Sequence, residues 1–100
     1  MEYEFIGWCK DEQENTDKVW GVIKLRGDHW GGSYISFWGR RGKKLQTKTF
    51  VHTTDWEIAK HINTKRKKGY TSVNKSHLDV VYPEFEKDLE QTAVWAMLTA

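Results

Sequence analysis

The chain has a single cysteine and no long hydrophobic run, and these two shortages exclude several kinds of protein. Cys9 stands alone among the 100 residues, so an intrachain disulfide is impossible and no cysteine pair is present for a zinc site. Residues 1–9 contain two glutamates and no basic stretch followed by an apolar run. We therefore expect neither a secretory signal nor a transmembrane helix, no membrane partner, and a cytoplasmic location.

A catalytic constellation is also missing. The four histidines, His29, His52, His61 and His77, are scattered, and no serine or cysteine nucleophile motif lies near them. Glu57 is better explained as a helix-capping residue than as a general base. We therefore predict that the chain is not an enzyme and needs no cofactor and no metal ion. Its 100 residues are expected to form a single domain.

Positive charge is plentiful but unevenly distributed along the chain. Residues 38–77 contain eleven lysines or arginines against two acids, a net charge of +9, within a chain whose net charge is only +2. Residues 1–37 carry −3 and residues 78–100 carry −4. The middle of the chain is therefore a basic block between acidic flanks, and such a block is typical of proteins that bind phosphates.

The most informative segment, 37–44, runs from an aromatic strand end into a loop with two glycines and four cations. A structural explanation is a hairpin turn, in which glycine supplies positive φ and exposed lysines keep the strand end soluble. A functional explanation starts from Trp38, because a tryptophan beside a basic turn combines a flat stacking surface with attraction for phosphate. Both explanations remain open on these residues alone.

Runs of β-branched and aromatic residues predict strands at 3–8, 19–25, 33–38 and 45–51, with a short return strand at 70–73. The imperfect alternation of the second strand suits a sheet that is covered on one side.

In the third strand, alternation assigns Ile35 and Phe37 to the core and therefore turns Trp38 outward, unless a one-residue bulge precedes Gly39. Lys48 on the following strand is expected to be exposed.

Two helices are expected in the second half of the chain. Thr54 and Glu57 match a capping box at the start of the first helix, and Gly69 is well placed to end it. Its last turn, 65–68, consists of four cations, which either complement the helix dipole or contact a ligand.

The second predicted helix is an acidic, amphipathic one at 78–100, with Pro83 near its start. Its apolar positions are expected to pack on the sheet, with a homodimer contact as the second interpretation. A further hypothesis is that this acidic segment folds across the basic block and competes with phosphate, and the alternative is a solvated helix face.

The tripeptide Trp-Gly-Arg at residues 38–40 lies in a setting that extends well beyond the loop. A strand precedes it at 18–25, Gly42 follows it, the next strand ends near Phe50, and a basic helix end runs through 67–70. Together these features resemble the WGR domain family, which takes its name from the tripeptide. WGR domains are known from the DNA-dependent poly(ADP-ribose) polymerases and from small stand-alone bacterial proteins.

The resemblance implies a compact antiparallel sheet crossed by one helix, with residues 18–74 as the WGR-like core. Residues 1–17 add an N-terminal strand and loop, and 78–100 add the C-terminal helix, so we predict an α+β fold. In the polymerases this domain holds a DNA strand break, and its motif tryptophan packs against the sugar of a terminal nucleotide while its motif arginine contacts the backbone and neighbouring domains. By resemblance these roles fall on Trp38 and Arg40.

We therefore predict a nucleic-acid-binding module that recognises the DNA backbone or strand ends, with DNA favoured over RNA and a cytoplasmic, nucleoid or nuclear location. The predicted contacts are the motif residues, the nearby cations and one tyrosine: Trp38, Arg40, Arg41, Lys43, Lys44, Lys48, Lys65, Arg66, Lys67, Lys68 and Tyr70. The alternative is a protein-interaction adaptor whose WGR surface meets an acidic protein and whose C-terminal helix supplies an apolar ridge.

Overall fold

A computed structural model describes residues 2–91 as five strands and three helices. The elements are β1 (Glu2–Asp11), β2 (Thr16–Gly27), β3 (Gly31–Arg40), β4 (Gln46–Thr54), α1 (Asp55–Lys67), β5 (Thr71–Ser72), α2 (Lys75–Val81) and α3 (Phe85–Glu90). The predicted α+β fold is confirmed, and so are the five predicted strands and the first helix. No helix within residues 2–91 is both long enough and apolar enough to cross a membrane.

The strands form one antiparallel sheet in the order β4-β3-β2-β1-β5. The first four strands follow one another as a meander, because each is joined to the next by a short turn. β5 pairs with β1 through Gly7 with Ser72 and Trp8 with Thr71. Helix α1 therefore carries the chain from the β4 edge to the β5 edge, which confirms the prediction of a sheet crossed by one helix.

Helix α1 begins and ends where its sequence signals predict. The Thr54 hydroxyl oxygen accepts a hydrogen bond from the Glu57 backbone N–H at 3.2 Å, which satisfies one free amide of the first turn. Lys68 is the C-cap residue of the helix. Gly69 follows it with φ +102°, a conformation that glycine adopts without strain.

Helices cover both faces of the sheet, and the expectation of a sheet covered on one side was wrong. We call the side under α1 the α1 face. Its buried residues are Phe5, Trp20, Val22, Tyr34, Ile58 and Tyr70. We call the side under α2 and α3 the C-terminal face. Its buried residues are Ile6, Val19, Ile23, Ile35, Phe37, Leu45, Leu78, Tyr82, Phe85 and Leu89. Both phases of β2 are thus buried, which explains the imperfect alternation in its sequence.

The C-terminal segment differs from the prediction of one helix at 78–100. The Asn74 side-chain oxygen accepts from the His77 N–H at 2.8 Å, so a helix begins at once, at Lys75. It ends at Val81, and α3 begins after Pro83, whose ring cannot continue a helix. Residues 92–100, where the predicted helix would continue, lie outside the described residues.

Candidate nucleic-acid interface

Trp38 lies near the end of β3, opposite Trp20 on β2 and Gln46 on β4. The alternation of the strand holds as predicted, because Ile35 and Phe37 are buried on the C-terminal face while Trp38 packs against the α1-face cluster. The tryptophan is half-buried rather than free in solvent, since α1 covers much of that face. One part of the ring is therefore fixed by packing while another part remains accessible.

Two clefts meet at Trp38. The aromatic cleft, of about 230 Å³, lies between the sheet and α1. Its lining residues are Trp20, Ser36, Trp38, Lys48, Phe50, His61, Lys65 and Tyr70. The hairpin cleft, of about 400 Å³, lies beside the turn between β1 and β2. Its lining residues are Asn15, Thr16, Asp17, Lys18, Trp38, Gly39, Arg40, Lys65 and Tyr70. Trp38, Lys65 and Tyr70 line both clefts, so these three residues form the centre of the candidate site.

Lys65 is the cation at this centre. Its Nζ lies 5.5 Å from the centroid of the Trp20 ring, within the range of a cation–π contact. Burial lowers the pKa of Lys65, and the positive charges of Lys68 and Lys18 lower it further. No carboxylate among residues 2–91 forms an ion pair with Lys65. A lysine that has lost part of its hydration and has no acidic partner in the fold is well suited to an external anion.

Lys18 and Lys48 flank the centre on β2 and β4, the two strands on either side of β3. The Nζ of Lys18 lies 5.8 Å from the centroid of the Tyr70 ring, and the Nζ of Lys48 lies 5.1 Å from that of Phe50. Lys48 is exposed, as predicted. Lys18 was missed because it belongs to the acidic first third of the chain, although its strand phase matches that of Trp20 and predicts the same face.

Arg40 lies on the rim of the hairpin cleft. Its guanidinium donates to the backbone oxygen of Asn15 at 2.7 Å and to the Asn15 side-chain oxygen at 3.1 Å. Asn15 has φ +52°, a left-handed conformation that asparagine tolerates better than most residues. Arg40 therefore braces the β1–β2 turn, while its charge remains at the edge of the cleft.

Arg41, the next cation in the predicted basic loop, lies on the opposite side of the sheet. Its Nη2 is 2.8 Å from Asp17 Oδ2, and its Nη1 donates to the Val81 backbone oxygen at 2.8 Å. Asp17 also accepts from the Trp8 indole N–H at 2.8 Å. Arg41 thus ties the start of β2 to the end of α2, and the structure separates it from Trp38.

The remaining predicted residues are distributed around the centre. Tyr70 is 8% exposed, and its pKa is raised mainly by burial, so it forms a wall of the clefts rather than a free stacking surface. The other five predicted cations are exposed and line neither cleft. They are Lys43 and Lys44 in the β3–β4 loop, and Arg66, Lys67 and Lys68 at the end of α1.

Sequence reasoning also missed the aromatic wall opposite Trp38. Phe50 and His61 bring their rings to a centroid distance of 5.3 Å, and both line the aromatic cleft. His61 is exposed but comes from the edge of the sheet-facing side of α1, three residues after the buried Ile58. The capping box and the helical period could have predicted that orientation, but not the strand that His61 faces.

Within residues 2–91 no group of three or more histidine, cysteine or acidic side chains is arranged so that it could bind a metal ion. The chain was compared with models of known protein families, with curated proteins and with solved structures, and none of the three comparisons gave a match.

Proposed function

We propose that the chain is a non-enzymatic module that binds nucleic acid on the α1 face, with Trp38 stacking on a sugar or base. Lys18, Lys48 and Lys65 would neutralise phosphates around it. The observation that carries this proposal is the convergence at Trp38 of two clefts lined by four cations. Asp17 is the one acid that lines them, and its charge is already neutralised by Arg41.

The pairing of rings with lysines favours nucleic acid over an acidic protein. An acidic protein surface would need cations alone, whereas a nucleic acid offers flat bases and sugars beside its phosphates. The adaptor alternative also relied on an apolar ridge along the C-terminal helix. Phe85 and Leu89, which begin that ridge, are fully buried against the chain's own sheet, and this supports the nucleic-acid proposal.

The tripeptide at residues 38–40 agrees with the proposal, and the resemblance to WGR domains remains a hypothesis. Trp38 is half-buried and lines both clefts, which is compatible with the stacking role that the resemblance implies. We assign Arg40 a positioning role in addition to any phosphate contact, because both of its hydrogen bonds hold the β1–β2 turn at the cleft rim.

A fluorescence titration with labelled blunt, nicked and single-stranded DNA at two salt concentrations tests the proposal. We expect Lys65→Gln to weaken binding by about ten-fold and to reduce the salt slope by about one unit, because one phosphate contact is lost. Trp38→Ala should weaken binding by a similar factor through lost stacking.

Lys87→Gln is the matched control, since Lys87 is an exposed lysine on α3, on the other side of the sheet. It removes the same charge and should leave the affinity within about two-fold, because exposed charges far from the contact are screened. Binding that is absent, insensitive to salt, or weakened equally by Lys87→Gln and Lys65→Gln would refute the proposal.

A further inference from the structure

A third depression continues the aromatic cleft along α1. It has a volume of about 320 Å³, and its lining residues are Glu57, Lys60, His61 and Thr64. His61 lines this depression and the aromatic cleft alike. The hairpin cleft, the aromatic cleft and this helix cleft therefore follow one another from the α1 face of the sheet onto the side of α1, and each shares at least one residue with the next.

Trp56 stands at the far end of this path. It lies in the first turn of α1 and is 68% exposed. The Nζ of Lys60, which lines the helix cleft, lies 4.4 Å from the centroid of the Trp56 ring. A cation–π contact at this distance restricts the indole and keeps a cation beside it. The arrangement repeats the contact of ring and lysine that Trp20 and Lys65 make at the centre of the candidate site.

Rings and cations follow one another along the whole path. After Trp38 and Lys65, the Phe50 ring lies between the Nζ of Lys48, at 5.1 Å, and the His61 ring, at 5.3 Å. Lys60 and Trp56 come next. Glu57 is the one acid that lines the path without a cation partner among the described ion pairs. This succession suits a polymer whose phosphates and flat rings recur at regular intervals.

The distance between the two ends of the path is longer than one nucleotide, so a ligand that fills the path needs several nucleotides with accessible bases. Trp56 and Lys65 are nine residues apart on one helix, a rise of about 14 Å. At 3.6 residues per turn they project from nearly opposite sides of the helix, so the path winds from the sheet side of α1 to its solvent side. In a duplex the faces of the bases are stacked on one another, so only a terminal base pair could reach an aromatic surface. A single strand can present a base at each successive ring, and proteins that bind single strands combine aromatic platforms with a basic groove in this way.

We propose that the α1 face binds a single strand of nucleic acid that runs from the hairpin cleft along α1, and that Trp56 is its second stacking platform. This inference rests on the proposed function. It adds the class of the ligand, a single strand, and the path that the strand follows on the protein. The strand would span both tryptophans, whereas a ligand that needs only Trp38 would stop at the aromatic cleft.

The test compares wild type, Trp56→Ala and Trp30→Ala in binding to oligothymidines from about 3 to about 12 nucleotides, within the range of known single-strand site sizes. Trp30 is a stringent control. It is 73% exposed, it lies at the same end of α1 because its carbonyl oxygen accepts from the Asp55 N–H, and it lines none of the three clefts. Both side chains are exposed, so neither truncation should disturb the fold, and a thermal melt checks this.

We expect wild-type affinity to rise with length until the strand reaches Trp56. Trp56→Ala should then bind the long oligonucleotides about ten-fold more weakly and the shortest ones normally, as loss of one base stack predicts. Trp30→Ala should follow wild type throughout. Lys60→Gln should lower the salt slope by about one unit for the long oligonucleotides only.

The outcomes separate the two proposals. If DNA binds through Trp38 and Lys65 but Trp56→Ala and Trp30→Ala are indistinguishable at every length, the single-strand path is refuted and the proposed function survives. Tighter binding of a blunt duplex than of a single strand of the same length would also refute the path. Absence of binding to any of the DNAs would refute the proposed function and the path together.

Discussion

The two faces of the sheet carry helices of similar total length but use them differently. On the C-terminal face, α2 and α3 bury Leu78, Phe85 and Leu89 almost completely. On the α1 face, Ile58 is the one buried residue of a 13-residue helix, and two adjoining clefts remain beside the helix. The comparison suggests that the C-terminal face chiefly stabilises the fold. Helix α1 buries less of its surface and leaves more of its side chains exposed to a ligand.

Polar groups follow the same division. On the C-terminal face, the Tyr3 hydroxyl donates to Glu86 and the Tyr82 hydroxyl donates to Asp88. Burial, together with these carboxylates, raises the pKa of both tyrosines, so they remain hydrogen-bond donors. On the α1 face, by contrast, Lys65 has no acidic partner within the described part of the chain. The α1 face has one internal cluster of this kind, in which Lys24 and the Tyr34 hydroxyl meet Asp55, but Lys65 lies outside it and stays available.

The acidic residues after position 78 lie on the side away from the clefts. All five belong to α2, α3 or the turn between them: Asp79, Glu84, Glu86, Asp88 and Glu90. Their helices pack on the C-terminal face, and Glu86 and Asp79 pair with Lys75. Lys75 belongs to the basic block, so the acidic segment meets one cation of the block, but this placement argues against competition with phosphate at the clefts.

The largest effect that the comparison predicts is loss of stability from Phe85→Ala. Phe85 has no exposed surface and packs with its centroid 4.8 Å from that of Phe37. Truncation should lower the free energy of unfolding by about 3–5 kcal/mol, because it removes buried area and leaves a cavity. Urea unfolding measures the change. DNA affinity per folded molecule should stay near the wild-type value, and a ten-fold loss of that affinity would contradict the division between the faces.

A smaller effect should distinguish the neighbouring arginines. Arg41→Ala removes the ion pair with Asp17 and the hydrogen bond to Val81, so we expect a loss of about 1–2 kcal/mol in unfolding free energy. Its effect on DNA affinity should be slight, because it lies across the sheet from Trp38. Arg40→Ala is the matched variant, and it should weaken binding more than Arg41→Ala does. The reverse order of binding losses would contradict the assignment.

The sequence predicted the elements of this fold better than it predicted which residues come together. Strand alternation correctly separated Trp38 from Ile35 and Phe37, because the period of two is a local property of the backbone. The capping residues of α1 act locally too. The burial of Trp38, however, depends on where α1 crosses the sheet, and no local pattern reports that crossing.

The misjudged features share a non-local cause. Counting charge along the chain grouped Arg41 with Arg40, although neighbouring residues of an extended segment point to opposite sides. The same counting left out Lys18, which pairing between β2 and β3 sets opposite Arg40. Helix α2 was missed because its seven residues span only two turns, and its apolar residues all fall in the last four, which is too short for a helical period.

The smallest predicted effect concerns the pH dependence of binding. Lys65 has a pKa below that of an ordinary lysine, so it should lose its proton, and its attraction for phosphate, at a lower pH than exposed lysines do. Affinity should therefore begin to fall at a lower pH than the titration of exposed lysines would cause, and the decline is measured from about pH 7 to about pH 9.5, below the ordinary tyrosine pKa of about 10. Lys65→Arg keeps its charge throughout and should flatten this decline.

Unfolding does not account for such a decline. Because the pKa of Lys65 is lower in the folded state than in the unfolded chain, the folded protein binds fewer protons there, and stability rises with pH across that window. Tyr3 and Tyr82, whose pKa values are raised, cost stability only as the pH passes the ordinary tyrosine value. Unfolding curves at both ends of the range provide the control. An equal decline in wild type and Lys65→Arg would show that Lys65 is not the cation that meets phosphate, and the centre of the interface would then move to Lys18 and Lys48.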